Sequence, residues 1–586
     1  MPATLQIPVL LKDHEVDASG FAGFELRSIT VPSLLPGPVS DRVAIVDLRG
    51  GVLFPACPLP TRRDELLPRT AEPQREPGVV RWSVFATVLE ILRLFEAEDC
   101  LGRTIPWAFG RDQLLVVPEA GDDANAFYDR RSGSLQLYWF TAGNAPSSDD
   151  RILAAASQDI VTHETAHAVL DGIAPWLNDA SGPESLALHE SIADLTALFA
   201  SASSPALARE ALQLTAGDIG LTPVFSGLAP EFGRGIAGHP GPLRDLVDED
   251  AGHPLACAAF GPGGLEPEPH DLSIVLSRAF YALVLDVYSA RLADPALILP
   301  PNAAASDVLA HAGAAFTFAV NLVKRLLFRG LDYLPPADAG FVDLARAVLA
   351  CDRAAHPDDV IGVRARLVHR LVERGVGADA AALDTPFHAV EAAFGKVSTL
   401  ALGSTWFAMR LVEQHRDVLG IPANAPLEVL PRVRVRKVLI RPTERPVREE
   451  VLLKVAWRER EVSGVRGAVG LPPARWVKHG LTIALDLVSG RVCGFVRAEP
   501  GAQIGARDRW VTTLLDHGAL VHGGAGQPCW AEADGAFELH GTLALLHAAR
   551  GKSRPKDQPI PALPAAPQGV DASAFRELWE MLAVRA

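Results

Sequence analysis

Apolar residues recur at two different spacings along the chain, and the spacings predict which parts are helical. Over 82–99 (WSVFATVLEILRLFEAED) they return every three or four positions, which predicts an amphipathic helix. The same period appears at 158–200 and again over 205–419. The short apolar runs 114–117 and 135–140 lie beside turn residues, which is typical of strands. The middle of the chain is therefore predicted to be mostly helical.

Both ends of the chain carry a different pattern. Residues 1–80 are rich in turns and proline and contain strand-like runs such as 42–48 (RVAIVDL). From Pro422 onward, segments such as EEVLLKVAWREREV alternate apolar and polar residues, with hairpin turns between them. A proline-rich stretch and a short amphipathic helix (ASAFRELWEMLAVRA) follow, and the helix is predicted to dock on the body of the protein or on a partner.

These patterns predict an α+β protein of several domains, because 586 residues are too many for one hydrophobic core. The predicted parts are a β-rich N-terminal segment (1–80), a lobe that carries the motifs described below (81–200), an α-helical lobe (201–420), a β-rich C-terminal domain (421–552) and a proline-rich linker with a tail helix (553–586).

Composition argues against several classes of protein. The net charge of −15 disfavours binding to nucleic acid or to an anionic membrane surface, so neither is an expected partner. No run approaches 18 uncharged apolar residues, and the N-terminus lacks the pattern of a secretory signal. The six cysteines are scattered, as is typical of thiols in a reducing compartment. A cytoplasmic location is expected, with non-classical export left open.

The strongest chemical signal is HETAH, inside a helical apolar pattern. Residues four apart share a helix face, so His163 and His167 direct their imidazoles at one place, as zinc ligands do. Glu164 is offset around the helix, where it can take a proton from water without binding the metal. By chance this motif would occur about 0.03 times in such a chain, so a core helix with incidental histidines is disfavoured.

A catalytic zinc generally takes three protein ligands and leaves a fourth position to water. The helical segment HESIADLTALFA downstream supplies Glu190 as the candidate third ligand. Asp194, one turn later, is placed to accept a hydrogen bond from a ligating imidazole and so to fix its orientation. The sequence therefore predicts one catalytic zinc ion.

HETAH followed by HESIAD resembles the gluzincins, and more narrowly the thermolysin family of zinc metallopeptidases. The resemblance covers about residues 80–395 and implies a two-lobed core, β-rich in its N-terminal lobe and α-helical in its C-terminal lobe. The β-rich C-terminal domain would be an addition to that core. The roles that the resemblance implies are those of His163, His167 and Glu190 as ligands, Glu164 as general base and Asp194 as the partner of His163.

Two flanking segments are similar to the family's substrate-binding elements. The run N-A-F-Y resembles the sheet edge to which extended peptides add as a strand. By resemblance, Asn125 would hydrogen-bond the substrate backbone and the carbonyl of Ala126 would line the cleft. The run P-L-R-D resembles a segment whose arginine binds a substrate carbonyl, which implies that role for Arg244. The alternatives are an ordinary turn for Asn125 and a structural salt bridge for Arg244.

The run PHDLSIVLSRAFY resembles a helix start whose histidine donates a hydrogen bond to the oxyanion of the tetrahedral intermediate, which implies that role for His270. Capping or packing is the alternative, because the residue precedes an apolar helix. Glu266 and Glu268 are candidates for the acidic residue that orients it. The family's second donor, a tyrosine before the glutamate ligand, is missing, and Trp176 lies in that stretch instead.

Asp159 stands where calcium-stabilised members of the family have a calcium ligand. A calcium site needs several oxygen ligands, and the carboxylate expected in the following helix is missing near Ser201. Calcium is therefore not expected, and Asp159 is predicted to cap its helix or to face solvent.

The function predicted from the sequence is that of a zinc-dependent endopeptidase acting on protein or peptide substrates. A zinc aminopeptidase is the nearest alternative, disfavoured because the G-x-M-E-N segment that grips a substrate amine is absent. The alternative from another class is a catalytically inactive binding protein with a structural zinc ion. The C-terminal domain is the candidate for contact with a partner or for autoinhibition.

Overall fold

The computed structural model describes most of the chain. It covers residues 3–12, 23–49, 52–53, 57–60, 63–70, 72–142, 151–236, 241–247, 256–260, 264–265, 267–300, 302–440, 444–465, 471–499, 504–516, 520–522, 529–543 and 563–585. Within these ranges the protein is a mixture of helices and strands, which confirms the predicted α+β class.

Helices dominate the middle of the chain. In chain order they are α1 (Pro77–Glu96), α2 (Gln158–Ile173), α3 (Pro183–Ala202), α4 (Pro205–Leu214), α5 (Pro223–Ser226), α6 (Pro230–Gly235), α7 (Pro269–Leu292), α8 (Ala305–Leu331), α9 (Phe341–Ala355), α10 (Val363–Glu373), α11 (Phe387–Phe394), α12 (Thr405–Gln414), α13 (Arg416–Leu419), α14 (Ile504–Asp516) and α15 (Ala572–Arg585).

Strands concentrate towards the two ends. In chain order they are β1 (Ala3–Leu10), β2 (Phe24–Val31), β3 (Val43–Ile45), β4 (Leu48–Arg49), β5 (Val52–Leu53), β6 (Leu114–Val117), β7 (Ala126–Asp129), β8 (Ser134–Leu137), β9 (Trp139–Thr141), β10 (Arg151–Leu153), β11 (Gly227–Leu228), β12 (Arg244–Asp245), β13 (Glu428–Val429), β14 (Val433–Val438), β15 (Val447–Val462), β16 (Ala474–Asp486), β17 (Val492–Arg497), β18 (Val521–His522), β19 (Cys529–Ala533) and β20 (Ala536–His540).

The N-terminal part consists of a hairpin, a helix and a small sheet. The antiparallel hairpin β1–β2 packs on α1, which begins at Pro77 because proline suits the first helical position. The sheet has the strand order β3-β6-β8-β7, with β7 antiparallel to β8. Among the described strands, β7 pairs only with β8, so its other edge faces the neighbouring helices and the cavity described below.

The core of the molecule is built around α3. This helix is mostly apolar, apart from the polar group around Glu190, and is buried over nearly its whole length, because α2, α7 and α8 pack against it. The tightest of these pairs are α2 with α3 and α3 with α7. Residues from α2, from α3 and from the start of α7 are therefore brought to one place.

Two helices, α7 and α8, are long and apolar enough by composition to cross a membrane. The most apolar window of α7 is 78% buried inside the protein, as expected of a core helix, and α8 packs on α7 and α9. Such helices are only weak indications of a membrane span, and the cytoplasmic location stays a prediction.

The C-terminal sheet packs between two layers of the protein. Its strand order is β13-β15-β16-β20-β19-β18, with β14 paired to β15 and β17 paired to β16. Successive residues of a strand point to opposite faces. Accordingly, Val451 and Leu453 join a cluster with α11 and α12, whereas Leu452 between them joins the central core. The predicted strands are present here, and both of their faces are covered.

The end of the chain returns to the N-terminal sheet. Phe575, Leu578 and Trp579 of α15 are buried against Val46 and Leu115 of that sheet. Of the two sequence-based alternatives for the tail helix, the structure therefore shows docking on the protein's own body. The sequence analysis did not identify α14, whose Trp510 and Val511 pack beside α3.

Candidate metal centre

Two helices supply the residues that could hold a metal ion. The first, α2, begins after Ser157, whose side chain accepts a hydrogen bond from the backbone N–H of Ile160. One turn of α2 separates His163 from His167, and their Nε2 atoms lie 3.1 Å apart. A 3₁₀ turn at Pro175–Asp179 follows and returns the chain into α3.

Glu190 of α3 faces both imidazoles. Its Oε2 lies 3.3 Å from Nε2 of His163, and its Oε1 lies 3.4 Å from Nε2 of His167. One donor atom from each of the three side chains lies within 4.8 Å of the others, and all three side chains are largely buried. The structure thus brings together the three predicted ligands in a group that could bind a metal ion.

The other ring nitrogens of the two histidines are also engaged. Nδ1 of His163 lies 3.0 Å from Oδ1 of Asp194, the contact that the sequence predicts. Nδ1 of His167 lies 3.3 Å from Nδ1 of His189, a buried histidine that the sequence analysis did not single out. The available signal was its place directly before Glu190, on a helix packed against α2. Both contacts turn Nε2 towards Glu190.

The two carboxylates give the centre a strong preference for positive charge. Burial alone lowers the pKa of His163, but its hydrogen bonds to Asp194 and Glu190, and the charges of both, raise that pKa to about 10. Arg244 donates hydrogen bonds to Asp194 and, at 3.1 Å, to Glu190. Its own pKa rises because the charges of these carboxylates outweigh the effect of burial.

Arg244 is held in place by a two-stranded ribbon. The strand β12 pairs with β11, and Arg244 lies opposite Leu228. The guanidinium binds carboxylates of the metal centre, so the salt bridge weighed in the sequence analysis is present. Binding of a substrate carbonyl by Arg244 stays a prediction.

Glu164 lies beside the centre without joining it. Its side chain is 3% exposed, and its Oε2 accepts a hydrogen bond of 3.0 Å from the backbone N–H of Tyr128 in β7. The hydroxyl of Tyr128 in turn donates to Asp171 of α2, which also binds Arg130. These contacts fix β7 against α2, so Glu164 is held between the candidate ligands and the sheet edge.

His270 approaches the centre from a third helix. It is the second residue of α7, and its Nε2 lies 3.6 Å from Oε2 of Glu190. Its Nδ1 donates to Glu268 at 2.7 Å, and Glu268 is itself the residue that caps the helix. Burial lowers the pKa of His270, but the charge of Glu190 and the hydrogen bond to Glu268 raise it. Of the two acidic candidates, Glu268 orients His270, and Glu266 lies outside the described residues.

A cavity of about 450 Å³ opens beside these side chains. Asn125 and Ala126 line one side of it, while Oδ1 of Asn125 accepts a hydrogen bond from the backbone N–H of Ala126. Glu164, His163 and His270 line the floor. The rest of the wall is largely apolar and includes Ile160, Ala197, Leu228, Phe232, Leu243 and Ile274.

Trp176 does not take the place of the missing tyrosine. It does not line the cavity, and its ring lies 4.8 Å from Nζ of Lys454 in the C-terminal sheet. The 3₁₀ turn that contains it faces that sheet. Trp176 therefore supplies no second donor at the centre in this arrangement.

The predicted role of Asp159 is wrong. It neither caps α2, since Ser157 does so, nor faces solvent, since it is 2% exposed. Nζ of Lys12 lies 2.9 Å from its Oδ2. No sequence pattern predicts this pair, because the two residues are 147 positions apart and nothing local links them.

Comparisons with known proteins do not assign the chain to a family. No family model matches the chain. No curated protein matches it either. The resemblance to the thermolysin family therefore stays a prediction from the sequence motifs.

Proposed function

We propose that the protein is a zinc-dependent endopeptidase of thermolysin-like architecture. The observation that carries the proposal is the convergence of His163, His167 and Glu190 on one point, with Glu164 beside it on the wall of a cavity. A metal centre that served only to stabilise the fold would need neither that carboxylate nor an adjoining cavity.

The spacing of the donor atoms supports zinc as the metal. Tetrahedral coordination with Zn–ligand distances of ~2.0–2.1 Å places neighbouring donor atoms about 3.3 Å apart. Here the two Nε2 atoms lie 3.1 Å apart, one oxygen of Glu190 lies 3.3 Å from Nε2 of His163, and its other oxygen lies 3.4 Å from Nε2 of His167. Two imidazoles and one carboxylate are a ligand set that zinc accepts in hydrolytic enzymes. When bound, zinc supplies Lewis-acid chemistry, because it polarises a carbonyl group and lowers the pKa of water.

Glu164 moves the proton in the proposed reaction. Its carboxylate accepts a proton from the attacking water and returns it to the nitrogen of the leaving amine. The hydrogen bond from the backbone of Tyr128 holds one carboxylate oxygen and leaves the other to the cavity. The offset of Glu164 from the ligand face of α2 keeps it available for this task.

His270 stabilises the charge that develops on the carbonyl oxygen. The bond from its Nδ1 to Glu268 fixes the ring so that Nε2 points towards the centre. The nearby charge of Glu190 and the same bond raise the pKa of His270, which favours the protonated ring whose Nε2 can donate to an oxyanion. Trp176 does not supply a second hydrogen-bond donor for the oxyanion, so His270 acts without one.

The edge of β7 binds the peptide backbone in an extended conformation. The described strands leave that edge unpaired, and Asn125 and Ala126 at its start line the cavity. A peptide added there as a strand would present a main-chain carbonyl to Glu164 and His270.

The carboxylates of the cavity favour an endopeptidase over an aminopeptidase. An aminopeptidase needs a carboxylate that is free to bind the substrate's terminal amine. Among the described residues that line the cavity, Asp159 binds Lys12, Asp194 binds Arg244 and Glu268 binds His270. Glu164 is required as the base, and Asp271, the remaining carboxylate of the described wall, also has an interaction partner, so none of these carboxylates is left for an amine.

Cleavage of an unfolded protein tests the proposal. Purified wild type and Glu164→Gln are incubated with casein, and the metal content of each is measured. We expect about one zinc ion in both, cleavage by wild type alone, and loss of that cleavage in a chelator. The Gln side chain should lower the rate by roughly 10³-fold or more, because it cannot accept the proton. Metal in both samples and cleavage by neither would favour the inactive binding protein, and absence of metal would refute the centre itself.

A further inference from the structure

A buried ion pair joins the N-terminal hairpin to the first turn of the helix that carries His163. Lys12 is the second residue after β1, and its Nζ lies 2.9 Å from Oδ2 of Asp159 in α2, with both side chains at most 2% exposed. The backbone N–H of Lys12 also donates to the side-chain oxygen of Gln158, and the backbone N–H of Gln158 donates to the carbonyl of Lys12. Lys12 has a φ of 53°, a conformation that residues other than glycine rarely adopt and that persists where surrounding contacts impose it.

The pair is the centre of a larger node. Nζ of Lys12 also donates to the backbone carbonyl of Gly227 at 2.7 Å. Oδ2 of Asp159 accepts from the backbone N–H of Ala229 at 3.1 Å, and its Oδ1 accepts from the hydroxyl of Ser201 at 3.0 Å. One lysine and one aspartate thus bind the N-terminal strand, α2, the end of α3 and the segment 227–229 together.

The segment 227–229 belongs to the cavity. Leu228 and Ala229 line its wall, and β11 within this segment pairs with β12, where Leu228 lies opposite Arg244. Two further backbone bonds, from Leu243 to Ala229 and from Leu246 to Ser226, complete the ribbon. The contacts that hold the segment 227–229 therefore also hold Arg244, which binds Asp194 and Glu190 of the candidate metal centre.

We propose that Lys12 is a positioning residue for this site, whose ammonium group acts as a built-in cation that holds the wall 227–229 and, through the ribbon, Arg244. The expected effect of Lys12 on peptide cleavage rests on the proposed endopeptidase function. Its role in holding the segment 227–229 and Arg244 does not. It also makes the N-terminal strand part of the working enzyme, because removal of residues 1–12 would remove the cation.

The geometry explains why a fixed ammonium group and not a bound metal ion fills this position. The carboxylate of Asp159 faces three hydrogen-bond donors, namely the ammonium of Lys12, the amide of Ala229 and the hydroxyl of Ser201. A calcium ion needs six to eight oxygen ligands around it. Here the ammonium occupies the place between Asp159 and the carbonyl of Gly227 that such an ion would need.

Substitution of each partner alone and of both together tests the pair. The variants are Lys12→Met, which keeps the length of the side chain, Asp159→Asn, and the double variant. Lys324→Met is the control, because Lys324 is a buried lysine of α8 that binds Asn321 in its own helix. Each variant is compared with wild type in thermal midpoint, metal content and hydrogen exchange of peptides from 226–236 and 241–247.

We expect each single substitution to lower the thermal midpoint by about 5 °C, and the double variant by less than the sum, because removal of one partner leaves the other charged and buried. Exchange in 226–236 and 241–247 should rise about tenfold in Lys12→Met, with metal content unchanged. Lys324→Met should leave exchange in both segments as in wild type. The proposal would be overturned if the double variant lowered the thermal midpoint by the full sum of the two single effects. Unchanged hydrogen exchange in Lys12→Met would overturn it as well.

Kinetics separate positioning from a purely structural role. For the peptidase reaction we expect Lys12→Met to raise KM about tenfold and to change kcat less than twofold, since the wall and Arg244 contact substrate rather than the transferred proton. Equal losses in kcat for Lys12→Met and Lys324→Met would contradict positioning. If wild type cleaves nothing, the proposed function fails while the thermal midpoints and exchange rates still decide whether Lys12 holds the wall.

Discussion

The helix pair α2–α3 has two sides that are built from different chemistry. On the ligand side, His163, His167 and Glu190 converge on one point beside the cavity, which His163 lines, and each polar group there contacts another. On the support side, residues 174–186 connect the two helices and pack against the C-terminal part of the chain. The first side is held by contacts among charged and ring groups, whereas the second is held by hydrogen bonds to backbone carbonyls and to Asp179 and by apolar packing.

The support side is held by residues distant in sequence. The hydroxyl of Thr542 donates to the backbone carbonyls of Asn178 and Ala180 at 3.1 and 2.8 Å. The backbone N–H of Gly541 donates to Asp179 at 2.8 Å. Leu186 of α3 is fully buried in a cluster with α14. The C-terminal sheet thus supports the connection that sets how α2 and α3 meet.

The candidate metal centre therefore depends on two kinds of residue, and substitutions of the two kinds should have different effects. A change on the ligand side should remove metal or activity and leave the fold, since the helices pack through other residues. A change on the support side should lower the stability of the whole unit first. Autoinhibition by the C-terminal domain stays a prediction, and the described part of that domain contributes no residue to the cavity wall.

The largest expected effect comes from removal of a ligand. His167→Ala should abolish stoichiometric zinc and lower peptidase activity by about 10³-fold or more, while the far-ultraviolet circular dichroism stays that of wild type. His388→Ala is the control, because this histidine is 90% exposed and lies far along the chain in α11. Metal content can be measured by mass spectrometry of the dialysed protein. A full equivalent of zinc in His167→Ala would remove that residue from the ligand set.

A change on the support side should act on stability. Leu186→Ala removes a fully buried side chain from the interface between α3 and α14. This should lower the free energy of unfolding by about 2–5 kcal/mol. Leu400→Ala is the control, because Leu400 is 84% exposed and should change stability by about 0.5 kcal/mol or less. Thermal midpoints of the two variants check this. Equal midpoints would mean that the C-terminal part does not support α3.

The sequence predicted the ligand side well because its chemistry is local. The spacing of HETAH within one helix defines a shared face, and Glu190 with Asp194 repeats that spacing on the next helix. Strand and helix periods also identified most elements, including β6 with the bounds 114–117. The thermolysin-like fold itself stays a proposal, and only the α+β class is confirmed.

The remainder could not be predicted because it depends on contacts across the fold. Lys12 meets Asp159 only through the tertiary arrangement that places the N-terminal hairpin on α1 and the end of β1 beside α2. Trp176 faces the C-terminal sheet because the 3₁₀ turn aims it there, which no pattern within residues 174–183 indicates. Both cases concern a residue whose partner is more than 140 positions away, where a single sequence holds no signal of the pairing.

A smaller effect is expected from the second contact around the ligands. His189 orients His167 through its Nδ1, so His189→Leu should weaken zinc binding by about 10–100-fold without loss of the fold. His189→Asn is the matched control, since a shorter polar side chain can still bond to the ring and should weaken binding less. Competition with a chromogenic chelator measures both affinities. Equal affinities for wild type and His189→Leu would show that the contact does not orient the ligand.

The smallest and most specific effect concerns Lys454, which joins the C-terminal sheet to the support side. Burial lowers its pKa to about 7; the charge of Asp332 opposes this shift, whereas those of Arg103 and Lys437 add to it. Between pH 7 and the ordinary pKa of 10.5, the unfolded chain holds a proton that the folded protein has released. Stability should therefore rise with pH across this window, by at most about 1.4 kcal/mol per pH unit, and be lowest below pH 7.

Lys454→Met should remove this rise of stability with pH. The measurement compares its thermal midpoints with those of wild type from pH 6 to 10. Because every other titrating group is common to both proteins, the difference isolates the effect of Lys454. Lys396→Met, at an exposed position, should keep the wild-type profile. The ring of Trp176 favours the charged amine at 4.8 Å, so Trp176→Leu should lower the pKa of Lys454 further and extend the rise below pH 7. A profile of Lys454→Met parallel to wild type would mean that the amine stays charged in the fold, and that the support side, like the ligand side, is held by a charge.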